Sequence, residues 1–252
     1  MTQEEKHRDK YPLFWTGERI IPEDGRYMFR RHLQAYQFSA DFCEKRIVLD
    51  AGCGEGYGSY LLAESGMHVV GIDVSPEAIN HAKEKYIRDN LEYRVMDVSN
   101  MNFADGTFDV VVSFQVIEHM HDFEAFLKEI KRILKIGGLA FISTPNKSLC
   151  EGQATGKFHI KEWRYDEFMN LLNGYFDKVQ YYGVYLKGRK DSFTVRFLDL
   201  AVKWDILRIR RLFSPMLRKN VYVSMEKTVE LEITNKRPLK CALDIIGVCK
   251  KA

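Results

Sequence analysis

The sequence predicts an open, doubly wound α/β domain, and three observations predict it. Short apolar runs recur through residues 46–145, stretches with helical spacing separate them, and a glycine-rich turn follows the first run. Strands alternating with helices of about 10–15 residues read as βαβ units, and hence as a parallel sheet covered on both faces. The ligand of such a sheet lies beyond the carboxyl ends of the strands, near the switch point.

Arg46–Ala51 is the first apolar run; Met67–Asp73, Leu91–Val98, Phe108–Phe114 and Leu139–Thr144 follow as further strands. Tyr57–Ser65 is the first helical stretch. Pro76–Tyr86 is the second, with Ser75 as N-cap and Pro76 at the first helical position. In Asp122–Leu134, Phe123, Phe126, Leu127, Ile130 and Leu134 recur at three- and four-residue steps; Asp122 and His121 stand at its start, and Gly137-Gly138 is expected to end it. Arg164–Asn173 reads as a further helix closed by Gly174. Phe176–Leu186 and Ala242–Cys249 read as strands, and Val221–Ser224 and Thr228–Thr234 alternate apolar and polar residues.

The chain has 252 residues, enough to bury a large core without metal or disulfide staples. Its 38 basic and 35 acidic side chains leave a net charge of +3, which gives no support to a nucleic-acid partner. Five cysteines, none at C-x-x-C spacing, argue against a zinc ribbon or a secreted disulfide framework and favour a reducing, cytoplasmic setting. The charged N-terminus shows no signal peptide, and no apolar run reaches the ~20 residues that span a bilayer.

After the first strand the chain reads Asp50-Ala51-Gly52-Cys53-Gly54-Glu55-Gly56-Tyr57-Gly58. A dinucleotide fingerprint fails here, because Tyr57 stands where the third glycine of G-x-G-x-x-G belongs. No Gly-Lys-Ser/Thr follows, so a phosphate-binding Walker loop fails too. Acidic residues stand at three successive strand ends, Asp50, Asp73 and Asp97, one βα unit apart, which places all three on one sheet edge. A carboxylate at the second strand end suits a ribose diol. Asp97 suits an exocyclic amine and Asp50 an ammonium group. A ligand with ammonium, ribose and adenine but no phosphate fits S-adenosylmethionine.

The blocks VLDAGCGEGYG (48–58), VVGIDVS (69–75), YRVMDV (93–98), FDVVVSFQVIEHM (108–120) and LKIGGLAFISTPN (134–146) resemble the class I S-adenosylmethionine-dependent methyltransferases. The resemblance implies a Rossmann-like, seven-stranded and mostly parallel sheet. Phe176–Leu186 would be its sixth strand and Ala242–Cys249 an antiparallel last one. It implies that Asp50, Ala51, Gly52, Cys53 and Gly54 wrap the methionine part, with Tyr57 beside them. Asp73 and Val74 would hold the ribose, Asp97 and Val98 the adenine, and Phe114 and Gln115 would close over the cofactor.

Methyl transfer from a sulfonium is an in-line displacement, so positioning is the main task and no metal is intrinsically needed. An oxygen acceptor benefits from a general base, and His119 and His159 are the candidates. Cys53 reads as a small buried residue rather than a nucleophile. Trp15–Tyr36 resembles the lead-in of family members that act on sugars or lipid-linked glycans, with Tyr27, His32 and Tyr36 as candidate lid contacts.

Lys187–Lys219 carries ten basic residues against three acidic ones, interleaved with large apolar side chains. A basic amphipathic helix there packs on the domain, joins an interface between copies, or lies on an anionic membrane or apolar substrate. The expected organisation is a lead-in over 1–45, a methyltransferase domain over 46–190 and 220–252, and a helical insert over 191–219. The expected activity is methyl transfer to a small molecule, an oxygen on a sugar, sugar nucleotide or lipid-linked glycan. The rival readings are an NAD-dependent oxidoreductase on a related fold and a non-catalytic S-adenosylmethionine-binding module.

Overall fold

A computed structural model describes residues 27–149, 159–187 and 230–252. The insert over 191–219, the segment Val221–Ser224 and the lead-in up to residue 26 therefore lie outside the described residues. The elements in order are α1 (Tyr27–Ala40), β1 (Ile47–Ala51), α2 (Tyr57–Leu62), β2 (His68–Asp73), α3 (Pro76–Lys85), β3 (Leu91–Val95) and β4 (Phe108–Phe114). A 3-10 turn (Ile117–His119) leads to α4 (Phe123–Ile133), β5 (Leu134–Pro145), α5 (Tyr165–Tyr175), β6 (Lys178–Leu186), β7 (Leu231–Thr234) and β8 (Asp244–Lys250).

The strands form one sheet in the order β3-β2-β1-β4-β5-β8-β6-β7. β1 to β5 pair in parallel, with the order reversing between β1 and β4. β8 runs antiparallel between β5 and β6, as expected of the last strand. The sheet holds one strand more than the seven expected. β7, within the alternating Thr228–Thr234 stretch, adds as an antiparallel edge on β6.

Successive strand residues point to opposite faces, and both faces are buried. Leu49, Ile72, Val111 and Ile142 meet Phe126, Leu127 and Ile130 of α4 and Phe168 and Leu172 of α5. Val48, Val69, Val110, Val112 and Phe141 meet Tyr36 of α1 and Leu62 of α2 on the other side. This is why the strand runs read as continuously apolar. Ile79 and Ala82 of α3 close a smaller cluster with Tyr93 and Cys53.

Local signals fixed most boundaries. Ser75 Oγ accepts from Ala78 N, capping α3 with Pro76 at its first position, and Asp122 Oδ1 accepts from Ala125 N (2.8 Å) to cap α4. Several boundaries differ from the sequence expectation, four of them instructively. α2 stops at Leu62, where Ala63 and Gly66 turn the chain back through bonds to Ser59 O and Leu62 O. β3 stops at Val95, leaving Asp97 in the following turn. α4 ends at Ile133 and β5 begins at once at Leu134, so Gly137-Gly138 lies inside β5 rather than at the helix end. Gly174 does not end α5; burial of Phe176 and packing of Tyr175 carry the helix to Tyr175.

Candidate active site

The carboxyl ends of β1, β2 and β3 carry the glycine loop and its acidic neighbours. Gly52 N and Cys53 N both donate to Ile72 O (2.8 and 2.9 Å), folding the loop across the end of β2. Gly52 has φ +86° and lies against Val116, so a side chain at this position is both strained and obstructed. Asp73 then clasps two segments: Oδ2 accepts from Gly54 N and Oδ1 from Ser75 N, each at 2.9 Å. A carboxylate has about four acceptor sites, so Asp73 retains capacity for hydroxyl donors. The side-chain position of Gly54 opens onto unfilled space.

Asp50 is in a different state. It is fully buried; Ser59 Oγ donates to it at 2.7 Å and Tyr36 Oη at 3.1 Å. Desolvation pushes its carboxyl up to about 7, against the lowering effect of those two donors. Tyr36 reaches it by lying over Gly58, where a Cβ would fall within the tyrosine ring. Asp50 thus braces α1 and α2 on β1. Asp97, by contrast, is exposed, with Oδ1 accepting from Ser99 N and Ser99 Oγ (2.8 and 2.7 Å).

The remaining residues of the expected cofactor set divide likewise. Ala51 and Cys53 are buried, and burial pushes the Cys53 thiol well up, which keeps it protonated. Tyr57 opens α2, with its ring edge-on to Tyr36. Val74 is 71% exposed at the rim and Val98 packs on the core. Phe114 is buried edge-on beneath Tyr36 (centroids 4.9 Å apart), in the core rather than over a cleft. Gln115, at the exit of β4, holds φ +57° while its N donates to Ser143 O (3.2 Å) and its Nε2 to Ser143 Oγ (3.3 Å). A non-glycine residue in that region is a local strain typical of functional sites.

Beyond β4 the edge changes character. The 3-10 turn presents Glu118 and His119, and Glu118 O accepts from Ile160 N (2.8 Å) and Lys161 N (3.1 Å). Those bonds fix the returning chain so that His159 lies against His119, ring centroids 5.1 Å apart. His159 Nδ1 is held by Glu162 Oε1 at 3.1 Å. Glu118 is 1% exposed; Oε2 accepts from Thr144 Oγ1 (3.2 Å), whereas Oε1 has no partner among the described residues. Desolvation raises its carboxyl to about 8.

α1 completes this wall. His32 Nδ1 pairs with Tyr57 Oη at 3.2 Å, and its buried Nε2 has no partner among the described residues. Desolvation lowers its imidazole to about 4, so it is neutral at physiological pH. Next to it, Arg31 is clamped to the start of β8: Nε donates to Asp244 Oδ2 (2.8 Å), Nη2 to Leu243 O (3.1 Å) and Nη2 also to Asp244 Oδ1. The two sequence-derived histidine candidates, His119 and His159, are therefore brought together. Glu118, Thr144, Glu162, Arg31 and Asp244 join them without having been singled out. The one sequence signal for Glu118 was a carboxylate placed directly after an apolar strand and next to His119.

A parallel sheet that reverses between β1 and β4, bearing a glycine loop clasped by an acidic β2 end, has the architecture of the class I methyltransferase fold. Residues 49–142 match the family described as "Methyltransferase domain". Over this stretch the chain is similar to class I S-adenosylmethionine-dependent methyltransferases. Among its relatives, a probable S-adenosylmethionine-dependent methyltransferase of Mycobacterium tuberculosis is 41% identical over 165 residues, covering 64% of this chain and 60% of that protein. The chain thus spans only about 60% of the length of that relative. The ubiquinone biosynthesis O-methyltransferase of Rhizobium etli is 36% identical over 106 residues, 40% of this chain and 42% of its own.

Among solved structures, a protein of Pyrococcus horikoshii matches with a TM-score of 0.55 at 25% identity, over 67% of this chain and 93% of its own. An S-adenosylmethionine-dependent methyltransferase of Thermotoga maritima shares the fold with a TM-score of 0.60 at 15% identity, over 93% of this chain and 97% of its own. Among the described residues no helix is long and apolar enough to cross a membrane.

Proposed function

We propose that this chain binds S-adenosylmethionine at the glycine loop and transfers its methyl group to an oxygen of a small-molecule acceptor, a sugar or lipid-linked glycan. The observation that carries the reading is one sheet edge with two unlike halves: the Asp73-clasped glycine loop, and the wall of Glu118, His119 and His159. Bound there, the cofactor supplies an activated methyl on a sulfonium, which is its own leaving group. Asp73 accepts from the ribose hydroxyls, the open face at Gly54 lets the backbone approach the ligand, and Asp97 with Val98 meets the base. Asp50 works from behind by holding α1, α2 and the loop in register. His119 and His159 are the groups that deal with the acceptor's proton.

The names of the mycobacterial relatives support the cofactor, and that of the Rhizobium relative supports oxygen as the accepting atom. We extend the reading to the organisation of the chain, with 1–45 as a lead-in whose α1 closes the acceptor wall and 191–219 as an insert before the final strands. Calorimetric titration with S-adenosylmethionine, followed by a screen of sugar and glycolipid acceptors with methyl-labelled cofactor, tests it. Saturable cofactor binding with label passing to a hydroxyl is expected. Binding of NADH in place of S-adenosylmethionine would end the reading, and binding without transfer to any acceptor would leave only a cofactor-binding module.

A further inference from the structure

We propose that Glu118, His119 and His159 bind a divalent transition-metal ion at the acceptor end of the cleft. One ligand-capable atom from each of the three lies within 4.8 Å of the others. Ligands around an ion in a tetrahedral shell sit about 3.4 Å apart, so closure needs side-chain shifts of roughly an ångström. Two imidazoles and one carboxylate form a donor set suited to zinc and its first-row neighbours rather than to magnesium or calcium, which prefer oxygen.

Two further observations point to an occupant rather than to three polar residues that merely adjoin. Glu118 Oε1 is enclosed and has no protein partner among the described residues, while Thr144 holds the other oxygen and so fixes the carboxylate's orientation. Arg31, the nearby cation, is already bound through two of its nitrogens to Asp244. An enclosed carboxyl oxygen without a partner is costly to keep, and a cation at Oε1, bound as the carboxyl gives up its proton to solvent, removes that cost. The second observation concerns His159. Its Nδ1 is engaged by Glu162, itself largely enclosed, which orients the ring and leaves Nε2 for the ion. A carboxylate on the far nitrogen is the usual support of a metal-bound histidine.

The inference deepens the proposed function and rests on it for where the acceptor sits; ion binding itself does not. It changes the part played by His119 and His159 from bare bases to ligands. Three protein ligands leave open positions on the ion, and an acceptor hydroxyl bound there loses its proton to water more readily. An acceptor with two neighbouring oxygens, as on a sugar ring, can fill two such positions.

The test uses the full chain, stripped with a chelator and dialysed, and titrated with Zn2+ and, for its absorption bands, with Co2+. One equivalent per chain is expected, with Mg2+ binding far more weakly. Glu118→Gln, which keeps the bond to Thr144, and His159→Ala are each expected to weaken the ion by about 10-fold or more. His68→Ala, at the amino-terminal end of β2, is expected to leave it unchanged. Near-ultraviolet circular dichroism shows which variants keep the native fold. Absence of saturable binding, or binding that survives Glu118→Gln, His119→Ala and His159→Ala alike, overturns the site. Cofactor titration of the same samples separates the two claims. A chain that binds S-adenosylmethionine but no ion loses only this inference, and one that binds the ion but no S-adenosylmethionine loses the methyltransferase reading and keeps the site.

Discussion

The two halves of the carboxyl edge are built on opposite principles. Around β1 and β2 the acidic strand ends are held by the protein itself: Asp73 takes two backbone N–H groups, Asp50 takes Ser59 and Tyr36, and Glu55 Oε2 faces His81 Nε2 at 3.8 Å. Around β4 and β5 it leaves Glu118 Oε1 and His32 Nε2 enclosed without partners among the described residues. The aspartates of the first half are therefore positioned before any ligand arrives. The second half is finished only by what binds to it. In the function proposed above, a preformed cradle for a common cofactor lies beside an incomplete wall for a particular acceptor, so that specificity resides where the protein is unsatisfied.

Three perturbations sharpen that contrast. The largest effect is expected at Asp50. Its folded carboxyl lies near 7, well above the unfolded value near 4, so the unfolded chain releases this proton first. Stability of the ligand-free protein therefore falls as pH rises from about 4 to about 7, by up to roughly 3–4 kcal/mol from this group. Asp50→Asn should flatten that slope in urea titrations at a series of pH values; an unchanged slope would show that the finished half is not holding a strained carboxyl. Next comes His119→Ala, expected to reduce turnover by ~10²-fold or more while sparing cofactor affinity. Near-normal turnover would mean that the incomplete wall takes no part in the chemistry. Smallest is Asp73→Ala, expected to weaken S-adenosylmethionine by ~1–3 kcal/mol through loss of the ribose acceptor. Equal calorimetric affinities for variant and parent would move the ribose elsewhere.

The finished half was largely legible in the sequence because its signals are local. Ser75-Pro76 announces a capped helix, the glycines announce a backbone that must approach something, and Asp73 follows one βα unit after Asp50. What the sequence did not disclose is that Asp50 faces inward. Its partners come from α1 and α2, and only packing of Tyr36 over Gly58 brings the phenol to the carboxylate. The place of Phe114 beneath Tyr36 likewise depends on a helix preceding the sheet. The incomplete half was legible only in outline. His119 and His159 could be named, but their contact depends on bonds from Ile160 and Lys161 to Glu118 O, across 42 and 43 residues of chain. Glu118 itself escaped notice because a glutamate beside a strand is ordinarily solvated. The helix boundaries missed at Gly137 and Gly174 show the same override, with burial of neighbouring apolar residues outweighing local glycine preference.

The clamp between Arg31 and Asp244 joins positions 213 residues apart in the chain. A growing polypeptide that has made every strand through β7 still lacks the acid that neutralises this enclosed guanidinium. The wall around Arg31 is therefore completed only once residue 244 has been made. A product cut short before residue 244 keeps the glycine loop but lacks the carboxylate that balances Arg31.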